Sequence, residues 1–341
     1  MFMLRTFCRN VLGAAAIIAC GVTGFHALQS VPTGPTTAIA SVQSPRPVAT
    51  QPTAAIGSVR FAVIGDSGTG DTEQYDVAAA MAASHGRLPF ELVIMLGDNV
   101  YGGWNRKAVI SKFELPYKPL LDAGVQFYAS LGNHDASAER SYGGFHMDEQ
   151  RYYTFTRSNV DFFALDSNYM DRSQLTWLER TLQASRATWK IAFFHHPLYS
   201  SGGRHGSEKD LRGALEPLLI RYGVQVVFSG HDHVYERVKP QRGITYFVCG
   251  SSGELRRGNL DKRSALTAAG FDLDRAFMLI DVADDTLHFQ AISRTNALVD
   301  SGRITLAATA SPAASSPWQE SPHGLRGTEN GPQRHRDTEN H

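Results

Sequence analysis

The chain has 341 residues, 42% of them hydrophobic and 19% charged, which is enough apolar material for one sizeable core. Its 33 basic and 33 acidic residues cancel, so no net basic field argues for a nucleic-acid partner and none is expected. Of the three cysteines, Cys8 and Cys20 lie in the N-terminal segment. Cys249 is left alone in the rest of the chain, which excludes an internal disulfide framework there.

The opening "MFMLRTFCRNVLGAAAIIACGVTGFHALQS" places Arg5 and Arg9 ahead of a short apolar run from Val11 to Val22. This is the pattern of a secretory signal peptide. The run falls short of the roughly 20 apolar residues that a spanning helix needs. Ile17 to Gly21 resembles a bacterial lipoprotein cleavage box, with Cys20 as the residue carrying the lipid anchor; a plain signal cut after Ala40 is the other reading. Residues 1–30 are therefore read as a signal peptide or lipoprotein signal. The protein is expected to be exported: periplasmic, secreted or lipid-anchored at the cell envelope. Residues 31–57 are rich in Pro, Thr and Ala and read as an extended linker. Residues 306–341 read as a disordered polar tail. The folded domain is expected over 58–305.

Within it, "VRFAVIG" predicts a strand ending at a Gly, and Asp71 to Ser84 an Ala-rich helix. "ELVIMLG" and "VQFYASLG" predict two further strands, with a short helix from Asn105 to Phe113 between them. "YYTFTRSNVDFFALDSN" alternates on both sides of Ser158-Asn159 and predicts a hairpin. Ser173 is the expected cap of a helix with Leu175, Leu178 and Leu182 on one face. "WKIAFFHHP" predicts a strand, Glu208 to Arg221 a helix, and "VQVVFSG" and "ITYFVCGSSG" two more strands. A hairpin around Ala283-Asp284-Asp285 closes the domain. Strands alternating with helices, with hairpins added late, predict an α/β fold of two packed mixed β-sheets with helices outside.

Five of these apolar strands run into loops that carry metal-type ligands. They are Asp66 in "GDSG", Asp98 and Tyr101 in "GDNVY", Asn133 and His134 in "GNHD", His195 in "FFHHP", and His231 and His233 in "GHDH". The carboxyl ends of strands in α/β sheets gather on one edge, where binding crevices form. A Gly before Asp66, Asp98, Asn133 and His231 permits a sharp bend and close backbone approach. Carboxylates, imidazoles, an amide oxygen and a phenol suit Fe, Mn or Zn. No Cys is included, which argues against a structural zinc site. Seven or eight such ligands are too many for one transition ion and suit a pair about 3.5–4 Å apart.

In this order the blocks "GDSG", "GDNVY", "GNHD", "AFFHHP" and "GHDH" resemble the calcineurin-like metallophosphoesterase superfamily. Tyr101 narrows the resemblance to the purple acid phosphatases, in particular the short, tartrate-resistant type. The resemblance covers residues 59–290. It implies the αββα metallophosphoesterase sandwich and a dinuclear-metal acid phosphatase that hydrolyses phosphate monoesters to alcohol and inorganic phosphate by hydroxide attack on phosphorus. It further implies a ferric site of Asp66, Asp98, Tyr101 and His233. A divalent ion (Fe, Zn or Mn) would share Asp98 and take Asn133, His195 and His231. His134 would touch the phosphate alongside Asn133, and His205 in "GRHGS" would stand near the leaving group as proton donor. Ser67 stands where family members often carry Trp. The competing reading is a divalent-metal phosphodiesterase or nucleotidase of the same superfamily, with Tyr101 not bound. A binding protein on an inactive scaffold would require lost ligands, and all seven are present. Asp232, Asp166 and Cys249 read as structural residues. His196 reads as a neighbour of the site, and Asp135 either as the carboxylate that orients His134 or as a loop cap.

Overall fold

In the computed structural model, which describes residues 57–306, the first apolar run forms β1 (Val59–Ile64), every residue of it buried. Asp71 caps α1 (Thr72–Arg87), its side chain accepting the Gln74 amide. Then come β2 (Leu92–Met95), α2 (Arg106–Val109), α3 (Lys118–Asp122) and β3 (Gln126–Ala129). The hairpin of β4 (Tyr153–Arg157) and β5 (Val160–Ala164) turns at Ser158 and Asn159. It leads through α4 (Arg172–Ala184), β6 (Trp189–Phe193) and α5 (Lys209–Arg221) to β7 (Val226–Ser229). The remaining strands are β8 (Tyr235–Val238), β9 (Thr245–Cys249), β10 (Thr267–Phe271), β11 (Ala276–Ala283), β12 (Thr286–Ser293) and β13 (Leu298–Thr305). The expected signal lies outside the described residues, and so do the linker and tail apart from Gly57 and Leu306. Among the described residues no helix is long and apolar enough to cross a membrane.

The strands form two mixed sheets, ordered β13-β12-β11-β1-β2-β3 and β10-β8-β9-β7-β6-β5-β4. β1, β2 and β3 run parallel in the first, and β5, β6, β7 and β9 in the second. The continuous apolar runs follow from burial on both faces. Phe61, Val63 and Ile94 of the first sheet pack against Phe162, Phe193, Phe228 and Phe247 of the second. The alternate residues Ala62, Ile64, Val93 and Met95 turn outward under Val77 and Met81 of α1. Phe163, Ala192 and Val227 turn outward under Leu178 and Leu182 of α4 and Leu215 and Leu219 of α5. Helix, sheet, sheet and helix thus form the expected α/β sandwich. Burying one such Phe or Leu side chain stabilises the fold by about 1.5–3 kcal/mol.

Several local expectations are corrected. Asp171, not Ser173, caps α4: its side chain accepts the Gln174 amide at 2.8 Å, because a carboxylate before the first turn meets an orphan N–H that Ser173, already helical, cannot reach. The helix expected from Asn105 to Phe113 is only one α turn, continued as a wider π turn over Ile110–Glu114. The strands β8, β10 and β13 were not expected.

Candidate metal centre

Each ligand-type residue stands just past a strand whose direction is set by the sandwich. Asp66 follows β1, Asp98 and Tyr101 follow β2, and Asn133 and His134 follow β3. His195 follows β6, and His231 and His233 follow β7. Asp66, Asp98 and His231 all have left-handed backbones, with φ of 52°, 53° and 67°. Such conformations turn the chain sharply, and at a residue such as His231 they persist only where the surroundings hold them. The glycine expectation also has a physical basis at two positions. A Cβ on Gly132 would lie 2.1 Å from Asp98 Oδ1, and one on Gly230 would lie 2.5 Å from Asp66 Oδ2.

The side chains meet in two adjoining sets of contacts. Tyr101 Oη donates to Asp66 Oδ1 at 3.3 Å and lies 3.4 Å from His233 Nε2. Asn133 Oδ1 lies 2.9 Å from His195 Nε2, which is in turn 3.1 Å from His231 Nδ1 and 3.6 Å from Asp98 Oδ1. The His195 ring is aimed by its Nδ1, 2.9 Å from the Leu96 carbonyl. Donor atoms of Asp66, Asp98 and His233 lie within 4.8 Å of one another, and so do those of His195, His196 and His231. The structure therefore brings all seven ligand-type residues together, in two neighbouring groups.

The electrostatics fit cations at this place. Asp66 and Asp98 are 0% and 1% exposed, and the ion-pair partners they have among the described residues are histidines. Burial, then the Asp98 charge, pushes the Asp66 carboxyl well above its ordinary range, against the His231 amide that lowers it. Burial and the neighbouring His195, His196 and His205 push His231 down to about 2. Burial also drives His195 down, helped by His196. Burial, then Asp66 and Asp98, pushes the Tyr101 phenol up. Two buried carboxylates, a phenol that only a nearby positive charge can ionise, and imidazoles held neutral form a donor set for metal ions.

His134 and His205 stand at the mouth, both exposed. The His134 amide donates to Asp98 Oδ1 at 2.9 Å, and its ring centroid lies 5.1 Å from that of Tyr101. The His205 ring lies 4.1 Å from that of His231. Its loop is anchored by Asp232, which accepts Ser200 Oγ at 2.6 Å and the Gly206 amide at 3.0 Å. Asp232 is thus structural, as expected, and so are Asp166, paired with Arg151 at 3.1 Å, and the buried free Cys249.

Asp135 follows the second of its two readings. It accepts the amides of Asn99, Val100 and Gly132 and the Asn99 side chain, and so ties the loop after β2 to the loop after β3. Its position beside His134 in sequence conceals this, because the backbone turns its carboxylate back under the sheet edge. His196 sits closer to the centre than a sequence neighbour need be: its ring centroid is 4.4 Å from that of His231, and Ser167 Oγ lies 2.8 Å from its Nδ1.

A model of the calcineurin-like phosphoesterase family matches residues 59–235. The chain is similar to purple acid phosphatase 17 of Arabidopsis thaliana, 28% identical in a 248-residue alignment that covers 62% of this chain and 73% of that protein. It is similar to tartrate-resistant acid phosphatase type 5 of Mus musculus, 25% identical over 248 residues, 60% of this chain and 76% of that protein. The solved structure of a purple acid phosphatase from yellow lupin seeds shares the fold, with a TM-score of 0.62 at 18% identity over 73% of this chain and 54% of that one. With more than half its length matched by the family model and its ligand-type residues at the shared edge of two sheets, this chain belongs to the calcineurin-like phosphoesterase family.

Proposed function

We propose that the domain is an acid phosphatase that hydrolyses phosphate monoesters on a dinuclear centre of Fe(III) and a divalent ion, Fe, Zn or Mn. The observation that carries this reading is the Tyr101 hydroxyl, 3.3 Å from Asp66 and 3.4 Å from His233, among the seven converging ligands. Asp66, Asp98, Tyr101 and His233 would hold the ferric ion. Asp98 would be shared, with Asn133, His195 and His231 holding the divalent one. Bound there, the pair supplies Lewis acidity and a hydroxide at moderate pH.

The chain's own residues do the rest. Asn133 and His134, exposed at the mouth, hydrogen-bond the phosphate oxygens and hold the ester in line. His205 faces the leaving group and gives its ring proton to the departing oxygen. Burial lowers the His205 ring below its ordinary value, partly offset by Asp232. The protonated form therefore belongs to the acidic side, which fits an acid phosphatase. An export signal, with Cys20 as lipid anchor, belongs to the same reading: small phosphate esters would be the substrates, outside the cytoplasm.

Metal analysis, a visible spectrum and hydrolysis of p-nitrophenyl phosphate on purified protein test it. Pink to purple protein with about two ions per chain and acid phosphatase activity is expected. A colourless, fully active enzyme with two divalent ions would overturn the ferric assignment. Metal-loaded protein without esterase activity would overturn the phosphatase reading.

A further inference from the structure

His196 follows the ligand-type His195 past the end of β6, and its half-buried ring is fixed beside the site. Its amide donates to Ser167 Oγ at 3.0 Å, and the same oxygen lies 2.8 Å from its Nδ1. Ser167 belongs to the loop after β5, whose Asn168 Nδ2 donates to the Leu131 and Gly132 carbonyls at 3.2 Å, next to Asn133. The His196 ring centroid is 4.9 Å from that of His195 and 4.4 Å from that of His231. A ring nitrogen of His196 lies within 4.8 Å of a donor nitrogen of each of these two residues.

The hydrogen bonds repeat the pattern at His195. There Nδ1 is held by the Leu96 carbonyl, and Nε2 stands among Asn133, Asp98 and His231. The His196 side chain bonds only Ser167 among the described residues, which occupies Nδ1 and leaves Nε2 free. A hydroxyl has two lone pairs, so Ser167 Oγ can accept both the amide and the Nδ1 proton of His196. The ring then offers a bare Nε2 lone pair. Metal-bound histidines almost always donate their second ring N–H to a fixed oxygen in this way, which sets the tautomer and aims the ring. A purely structural histidine needs only the Ser167 bond. Three imidazoles with their nitrogens this close gain little from one another and much from a shared cation.

We propose that His196 is a third imidazole ligand of the divalent ion, aimed by Ser167, and that it makes this position a zinc site rather than a manganese site. The proposal rests on the dinuclear reading above. His195, His196 and His231 would give the divalent position three nitrogen donors beside the oxygens of Asp98 and Asn133. Imidazole suits zinc, whereas carboxylate, carbonyl and water suit manganese, which is also the weaker binder of the two at a given donor set. An added imidazole therefore widens the gap between them. These five donors still leave a position open, as a catalytic ion requires.

The test uses the full chain with iron in the other position and Zn(II) or Mn(II) as the divalent ion. X-ray absorption at the zinc edge should read three imidazoles on zinc in the wild type and two in His196→Gln. In competition titrations the wild type should prefer zinc. His196→Gln should weaken zinc by about tenfold or more and manganese less, so the ratio narrows. Ser167→Ala keeps the imidazole but releases the ring, and should weaken zinc by about 10–100-fold, the usual cost of losing such a partner. It gives an independent reading should His196→Gln fail to fold. Two imidazoles on zinc in the wild type, or a zinc-to-manganese ratio unmoved by His196→Gln, overturn the assignment and leave the seven-ligand centre standing. A chain that binds no divalent ion overturns the assignment together with the dinuclear reading. None of these readouts depends on phosphate release, so a failure of the phosphatase reading shows separately, in the p-nitrophenyl phosphate assay.

Discussion

Asp66 Oδ2 accepts the main-chain N–H of His231 at 2.8 Å, while its Oδ1 lies 3.3 Å from His233 Nε2. One carboxylate after β1 of the first sheet thereby grips both histidines of the loop after β7 of the second. The left-handed turn at His231 sends that ring toward His195, 3.1 Å away, and leaves His233 beside Tyr101. Two histidines separated by one residue thus serve two adjoining groups of donors.

If the donors divide as proposed, single substitutions should remove different ions. Asp98→Asn should deplete both metals by half or more. His233→Ala should cost mainly iron and His195→Ala mainly the divalent ion. Elemental analysis of the three purified variants decides this, and full retention of both metals in all of them would show that these residues are not ligands.

If Tyr101 binds iron as proposed, Tyr101→Phe should abolish the visible absorption band, since a phenolate on Fe(III) would be the source of charge-transfer colour. The fold should survive, because the Tyr101 hydroxyl contacts only site residues. Absorption spectra and circular dichroism read the two effects separately. A coloured variant would mean that another group gives the band.

His205→Ala should slow alkyl phosphates by about 10²-fold or more, the usual contribution of a general acid, and p-nitrophenyl phosphate much less. If His205 gives the proton as proposed, its acting form is protonated and the wild-type rate should fall as pH rises through the His205 pKa, which lies below the ordinary histidine value. The variant should lack that alkaline limb. Paired pH–rate profiles for the two substrates measure it; equal slowing with the limb unmoved would make His205 a structural residue.

Glu139 is fully buried, and burial, followed by the Asp135 charge, pushes its carboxyl up to about 10. Its Oε2 and the Asn99 Oδ1 are both unpartnered acceptors, which a carboxyl proton would reconcile. The folded state binds that proton more tightly than the unfolded state does. Its contribution to stability is therefore complete below the ordinary glutamate value of 4.5 and is lost progressively as pH rises toward about 10. Glu139→Gln should become more stable relative to wild type at pH 9 than at pH 5. Urea unfolding at the two pH values measures the difference, and a gap that does not widen with pH would show that Glu139 is already ionised.

The chain order of strands, the loops that end them and the seven ligand-type residues were legible in the sequence because each depends on a short stretch. An apolar run buried on both faces, such as β1, declares itself by composition, and the glycine before Asp66 marks its end. The strands β8, β10 and β13 did not declare themselves. Exposed residues alternate through β10, and β13 is largely exposed, so pairing to a neighbour distant in sequence is what makes them strands.

The same distinction holds at the site. Local sequence could supply donors of the right chemistry, but their separation into two groups depends on two face-packed sheets presenting their strand ends on one side, with Asp66 and His231 165 residues apart. From its position Asp135 reads as a partner of His134 or as a loop cap, and only the fold decides for the clamp on the loops after β2 and β3, because backbone amides from both loops converge on its carboxylate.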